Sequence, residues 1–154
     1  MLAAELTTNA APDGYTLFLS YHQHTINAAL LPKLSYHPVN DFTPITQLTS
    51  AGLMLVVHPD TPVKTSPPWP KSGIPGFEVV GWYGIMAPPK LPKPLLDNIY
   101  GEFKKALDEP KIQQAIFNQG ATPVGSSPEE FRKFLLADMQ KWQKVVKASG
   151  AKSF

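Results

Sequence analysis

Apolar and polar positions follow two rhythms along this chain, and proline and glycine mark where one gives way to the other. Pro12-Asp13-Gly14 is a turn signal: proline fixes φ, aspartate bonds its own backbone, and glycine accepts positive φ. Tyr15 to Leu19 is a short, β-prone apolar run, which predicts a strand buried on both faces. Ser20 to Thr25 then reads as a polar loop at the C-terminal end of that strand. A short helix follows, running from Thr25 or Ile26 to Leu31 and stopped by Pro32. Tyr36-His37-Pro38 predicts a turn or extended piece, because the residue before proline avoids the α region. Phe42 to Thr49 and Leu53 to Val57 read as extended segments around Ser50-Ala51-Gly52, and Met54 to Val57 as a core strand. Phe77 to Met86 is β-branched and aromatic and predicts a strand, with a bulge at Gly81 or Gly84.

The later part of the chain switches to helical spacing. Pro92 to Leu107 carries Leu95, Leu96, Ile99, Phe103, Ala106 and Leu107 on one face, and Pro94 suits its first turn. A second helix starts at Pro110, turns Ile112, Ala115 and Ile116 inward, and closes at Gly120. Thr122-Pro123-Val124 predicts an edge strand or connector. Ser127-Pro128-Glu129-Glu130 is a capping-box start. The helix it opens runs to about Ser149 with Phe131, Leu135, Met139, Trp142 and Val146 as its buried stripe, and Gly150 ends it. The order of elements is an α/β pattern, with a three-layer α/β domain as the expected architecture.

Composition narrows the function classes. The 154 residues suffice for one domain with a real core. A formal net charge of +2, with lysines scattered rather than blocked, gives a nucleic-acid or membrane-surface role little support. Without cysteine there is no disulfide, thiolate catalysis or cysteine-ligated zinc. No apolar run approaches the roughly 20 residues of a membrane span. Met1-Leu-Ala-Ala-Glu lacks the basic and apolar regions of a secretory signal, so the expectation from these residues alone is a cytoplasmic product if the sequence is the whole native one. The 17 prolines are an excess, and many fall between Pro59 and Pro75, where they predict a linker that is partly polyproline II.

The candidate chemistry lies at the predicted strand-to-helix junction. A helix N-terminus offers unpaired N–H groups and partial positive charge, which suit a carboxylate or phosphate. In open α/β sheets small ligands sit at such strand ends. Ser20 and Thr25 are hydroxyl donors there, and His22, Gln23 and His24 add imidazoles and an amide. Three readings stay open for His22-Gln23-His24: an anion site, polar residues capping the helix, or two of the ligands of a metal whose third ligand has no motif spacing. Asn27 can cap the helix or reach the loop, and Tyr21 can stack on a ligand or cover the pocket. No Gly-x-Ser-x-Gly elbow surrounds Ser20, and no glycine-rich phosphate loop is present. Asp97, Glu102, Asp108, Glu109, Glu129, Glu130 and Asp138 are expected on solvated helix faces or ends, and Trp82 in the core rather than at a ligand.

Seven blocks in order then resemble one family. They are Ala11-Pro-Asp-Gly-Tyr-Thr-Leu17, His24-Thr-Ile-Asn-Ala-Ala-Leu30, Tyr36-His-Pro-Val-Asn-Asp-Phe42 and Val56-Val-His-Pro59 in the first half. Gly73-Ile-Pro-Gly-Phe-Glu-Val79, Trp82-Tyr-Gly-Ile-Met-Ala-Pro88 and Gly120-Ala-Thr-Pro-Val-Gly-Ser-Ser-Pro-Glu-Glu-Phe131 follow. Together they are similar to the Bug family, the substrate receptors of tripartite tricarboxylate transporters. The resemblance implies a periplasmic-binding-protein-like fold, two α/β lobes closing over a small carboxylate, with membrane components of the transporter as partners. It implies a periplasmic location, no catalytic residue, no cofactor and no metal. Carried onto this chain, it makes Ser20, Tyr21, His22, Gln23, His24, Thr25 and Asn27 the ligand-binding residues. His24 and Asn27 match the family pattern, while Tyr21 and His22 are bulkier than usual there.

Two departures shape what is expected. The family opens with a signal peptide and a βα unit whose loop grips the ligand, and this sequence starts after that unit. Residues 64–72 stand where the family has a second lobe. The expected organisation is therefore one α/β domain from residues 1–63 and 73–154, a remnant of lobe one, with a proline-rich linker at 64–72. Such a half-cleft is expected to bind weakly, and the uncovered sheet edge invites a homodimer. The competing readings are a non-binding remnant that self-associates or docks to a partner, and a metal-dependent enzyme built on His22 and His24.

Overall fold

The computed structural model describes residues 2–31, 33–53 and 79–151. The elements are α1 (Leu2–Thr8), β1 (Phe18–Tyr21), α2 (Gln23–Leu30), β2 (Thr43–Gly52), β3 (Val80–Ala87), α3 (Lys93–Asp108), α4 (Pro110–Asn118), β4 (Thr122–Pro123) and α5 (Pro128–Ser149). The predicted strand Met54–Val57 and the proline-rich linker lie outside the described residues.

The four strands form one sheet in the order β1-β3-β2-β4, and each neighbouring pair is antiparallel. Alternation along β3 divides its side chains between two cores. Trp82 and Met86 join Ala4, Tyr36, Phe42, Phe131 and Leu135 on one face. Ile85 and Ala87 join Ile45 and Leu91 on the other, packed against Leu95, Ile99 and Phe103 of α3. The sheet is thus sandwiched between α3 on one side and α5 with its neighbours on the other, the three-layer α/β arrangement expected from the element order.

Local signals settle several ends. Ser127 caps α5 and Glu130 returns the bond, so the capping box is present in full. Gly150 follows that helix in the left-handed conformation, with φ 66°. Phe131 and Leu135 are fully buried, while Met139, Trp142 and Val146 are half-buried farther along the same stripe.

Other expectations need correction. The first strand is displaced towards the C-terminus. Tyr15 is 94% exposed, and β1 starts only at Phe18. Nor is it buried on both faces: β1 is an edge strand with Leu19 and Tyr21 exposed. Ser50-Ala51-Gly52 is no break, because β2 runs through it while pairing with β3. The irregularities fall in β2, between Pro44 and Thr46 and between Gln47 and Thr49, rather than at the glycines of β3. No residue of α4 is buried; Ile112 and Ile116 are half-covered and Ala115 is exposed. Helix α1 was not predicted at all; it contributes Ala4 and Thr7 to the interior.

Candidate functional site

The junction between β1 and α2 is tighter than its sequence suggests. Ser20 and Tyr21 end the strand, His22 alone intervenes, and Gln23 already opens the helix. The expected loop Ser20 to Thr25 is therefore corrected to a strand end followed directly by a first helical turn. Two backbone bonds hold the joint. The His22 N–H donates to the Trp82 carbonyl at 3.2 Å, and the His22 carbonyl accepts from the Ile26 N–H at 3.3 Å. His22 occupies the N-cap position in αR geometry and offers α2 no side-chain cap. The N–H groups of Gln23, His24 and Thr25 belong to the turn that lacks intrahelical acceptors, at the positive end of the helix dipole.

The side chains divide into three sets. His24 and Thr25 are turned inward. The His24 Nε2–H donates to the Pro38 carbonyl at 2.8 Å. Its ring stacks on Tyr36 and meets Phe18 and Phe42 edge-on. The Thr25 hydroxyl lies 2.7 Å from Asp138 Oδ2 and 3.0 Å from the His22 carbonyl. Gln23 and Asn27 are half-buried, and their amides pair at 3.0 Å along the helix. Tyr21 is 45% exposed and stacks on Tyr83 across the strand pair.

Ser20 and His22 form the third set. Ser20 is fully buried, and its Oγ has no hydrogen-bond partner among the described residues. The buried Nδ1 of His22 also has none. Buried polar atoms without partners are rare, and each calls for an explanation from its surroundings. Here two occur within three residues of one helix start.

Burial pushes the His24 imidazole below its ordinary value of 6.5, opposed by the bond to Pro38. The folded chain therefore resists protonation at His24 more than the unfolded chain does. Stability is full above about pH 6.5 and falls as the pH drops from there towards the depressed folded value. Urea titrations at pH 7.5, 6 and 5 are expected to show a falling midpoint. Part of that fall should disappear in His24→Gln, whose amide can still donate to Pro38. An unchanged pH profile in His24→Gln would place the acid sensitivity elsewhere.

Sequence reasoning missed Asp138. Expected on a solvated face, it is 5% exposed. Its Oδ2 accepts from Thr25 and from Trp82 Nε1, the latter at 3.2 Å, while Lys141 Nζ sits 2.7 Å from Oδ1. The signal was available: Asp138 lies seven residues after Phe131 and three after Leu135, on the apolar stripe itself. Trp82 is wholly buried, as expected.

Two surface concavities lie apart from the junction. One of about 510 Å³ is bounded by α2, the 34–38 turn and α5. Another of about 690 Å³ lies between Tyr83 and α4. Neither is lined by residues 20–27. Among the described residues, no group of three or more His, Cys, Asp or Glu could hold a metal ion. No described helix is long and apolar enough to cross a membrane.

The four-stranded sheet with helices on both faces is an α/β layer, and solved structures share this fold. BugD, described as a periplasmic binding protein, superposes with a TM-score of 0.81 at 17% identity over 97% of this chain and 83% of its own. MatC from Rhodopseudomonas palustris with bound malate gives 0.80 at 20% identity, covering 94% and 83%. Rpa4515 of R. palustris with adipate gives 0.82 at 17%, covering 97% and 82%. At these identities the likeness establishes the fold.

The family follows from sequence. The model of the tripartite tricarboxylate transporter family receptor matches residues 1–69 and 66–151, and the chain belongs to that family. BugT of Bordetella pertussis is 32% identical over 80 residues, 52% of this chain and 24% of its own length. A protein from the tcbD-tcbE intergenic region of a Pseudomonas strain is 31% identical over 75 residues, 49% of this chain and 22% of its own. The chain thus spans about a quarter or less of the length of these relatives. Its family is one of transport receptors, not of enzymes.

Proposed function

We propose that this chain is a solute-binding receptor component of a tripartite tricarboxylate-type transporter, and that it takes a small carboxylate at the start of α2. The observation that carries the reading is the pair of buried atoms, Ser20 Oγ and His22 Nδ1, which have no hydrogen-bond partner among the described residues, beside a helix N-terminus without a side-chain cap. A carboxylate there would accept from the Gln23, His24 and Thr25 N–H groups and from the Ser20 hydroxyl, with the His22 ring beside it. Tyr21, Gln23 and Asn27 form the rim. His24 and Thr25 contribute backbone, because their side chains are engaged inside. The malate and adipate bound by fold neighbours support a small carboxylate as the ligand class. Family membership supports periplasmic residence and membrane transporter subunits as partners. Because neither described cavity encloses the α2 start, weak affinity is expected.

Thermal unfolding with mono-, di- and tricarboxylates at millimolar concentration tests this. Ligand at ten times its Kd adds about 1.4 kcal/mol, a rise of roughly 3–6 °C for a chain of this size. The rise should follow one ligand class and vanish in Ser20→Ala. A cooperatively melting protein that no carboxylate stabilises would refute the reading.

A second reading rests on a separate observation. Leu19, Tyr21 and Tyr83 are 55%, 45% and 49% exposed, on the sheet face that α3 leaves open beside the β1 edge. Such a strip at a sheet edge favours self-association. Sedimentation velocity separates the two: a dimer dispersed by Tyr21→Lys supports it, and a monomer at all concentrations excludes it.

A further inference from the structure

The buried carboxylate of Asp138 has no role in the reading above, yet it touches the proposed site through two different elements. Three donors from α2, β3 and α5 converge on it: the Thr25 hydroxyl, the Trp82 indole N–H and Lys141 Nζ. Two of these donors come from residues that also contact the backbone of His22. The Thr25 hydroxyl sits 3.0 Å from the His22 carbonyl, and the Trp82 carbonyl accepts the His22 N–H at 3.2 Å. His22 is the single hinge residue between β1 and α2, so its two peptide planes set where the N–H groups of Gln23, His24 and Thr25 point.

Geometry explains the need for such an anchor. A threonine hydroxyl has one proton and two acceptors in reach, and the shorter contact is to the carboxylate. A charged acceptor draws that proton more strongly than a carbonyl does. The rotamer of Thr25 is thereby fixed by Asp138, as is the tilt of the Trp82 indole. An N-terminus without a side-chain cap has no local device of its own to hold its first turn.

We propose that Asp138 is a positioning residue for the carboxylate site: from the far side of the core it fixes the first turn of α2 through Thr25 and Trp82, without touching ligand. The inference rests on the reading of α2 as the ligand site.

The test uses the full chain, with Asp138→Asn, Thr25→Val and the double variant, all read well below their melting temperatures. In the free protein, the amide resonances of Gln23, His24 and Thr25 and the Trp82 indole N–H are expected to move in both single variants. Malate, titrated calorimetrically, is expected to bind about five- to tenfold more weakly to each, the equivalent of about one hydrogen bond. The double variant should lose little more than the stronger single, because both remove one linkage. Thr25→Val is nearly isosteric and carries the test if Asp138→Asn does not fold. Folded variants with wild-type malate affinity and unmoved amides would overturn the proposal, leaving Asp138 a stabilising core residue. If the wild type binds neither malate nor adipate, the ligand-site reading fails by itself. The carboxylate-site role of Asp138 then falls with it, and displaced amides would show only that Asp138 orders the first turn of α2.

Discussion

Gly84→Val is expected to abolish folding, and Gly84→Ala to lower stability by about 1–3 kcal/mol, near the upper end of that range. A Cβ at position 84 would lie 2.2 Å from Phe131 Cζ, 2.8 Å from Cε1 and 3.0 Å from Cε2. The residue has no positive φ, so the demand is for space rather than for an unusual backbone. Phe131 has nowhere to move. It is wholly buried, meets the Trp82 ring edge-on at 5.7 Å and stacks on Phe134 at 6.5 Å. Thermal melts should show a drop of roughly 2–12 °C for the alanine variant. Adding Phe131→Leu should recover part of it, since the shorter side chain vacates the contested space. An alanine variant that melts like the wild type would mean that α5 does not seat Phe131 against β3.

The second large effect is at Trp82. Truncation to alanine empties a fully buried site and should remove about 3–5 kcal/mol. Small domains have about 5–15 kcal/mol in total, so this variant is expected at the edge of unfolding. Trp82→Phe separates packing from polarity. It keeps an aromatic ring against Phe131 and Phe134 but takes the indole donor from Asp138, which retains Thr25 and Lys141. Its loss should be smaller, about 1–3 kcal/mol. Urea midpoints for the two variants check the ordering. A Trp82→Ala protein within 1 kcal/mol of wild type would contradict the central place given to this residue.

The sequence made some of this architecture visible, and the reason differs from element to element. Helix α5 was legible because its signals are local: Ser127, Pro128 and Glu130 specify the start and Gly150 the end. The core role of Trp82 followed from its setting in a β-prone run. Strand β1 was misplaced because Tyr15 and Leu17 are apolar yet exposed, and apolar character alone does not report which residues find a partner strand. Its pairing with β3 is a contact between distant parts of the chain, which no short-range pattern encodes.

The geometry of the candidate site was half visible. The junction of a strand end and a helix start could be read from Ser20 to Asn27. Side-chain fates could not: His24 and Thr25 look like loop donors in sequence and are held inside by Pro38 and Asp138. Asp138 itself was discounted because acids on helices usually face water. Its position on the stripe of Phe131 and Leu135 was the stronger indicator. The unpartnered atoms of Ser20 and His22 are a property of the folded environment and have no sequence signature.

The most direct test of the central claim is amide-resolved NMR of the chain titrated with malate. The account predicts saturable shifts concentrated at Ser20, His22 and the Gln23, His24 and Thr25 amides, lost in Ser20→Ala while the protein stays folded. Shifts that saturate elsewhere, or a spectrum that malate leaves unchanged, would contradict the assignment of the α2 start as the carboxylate site.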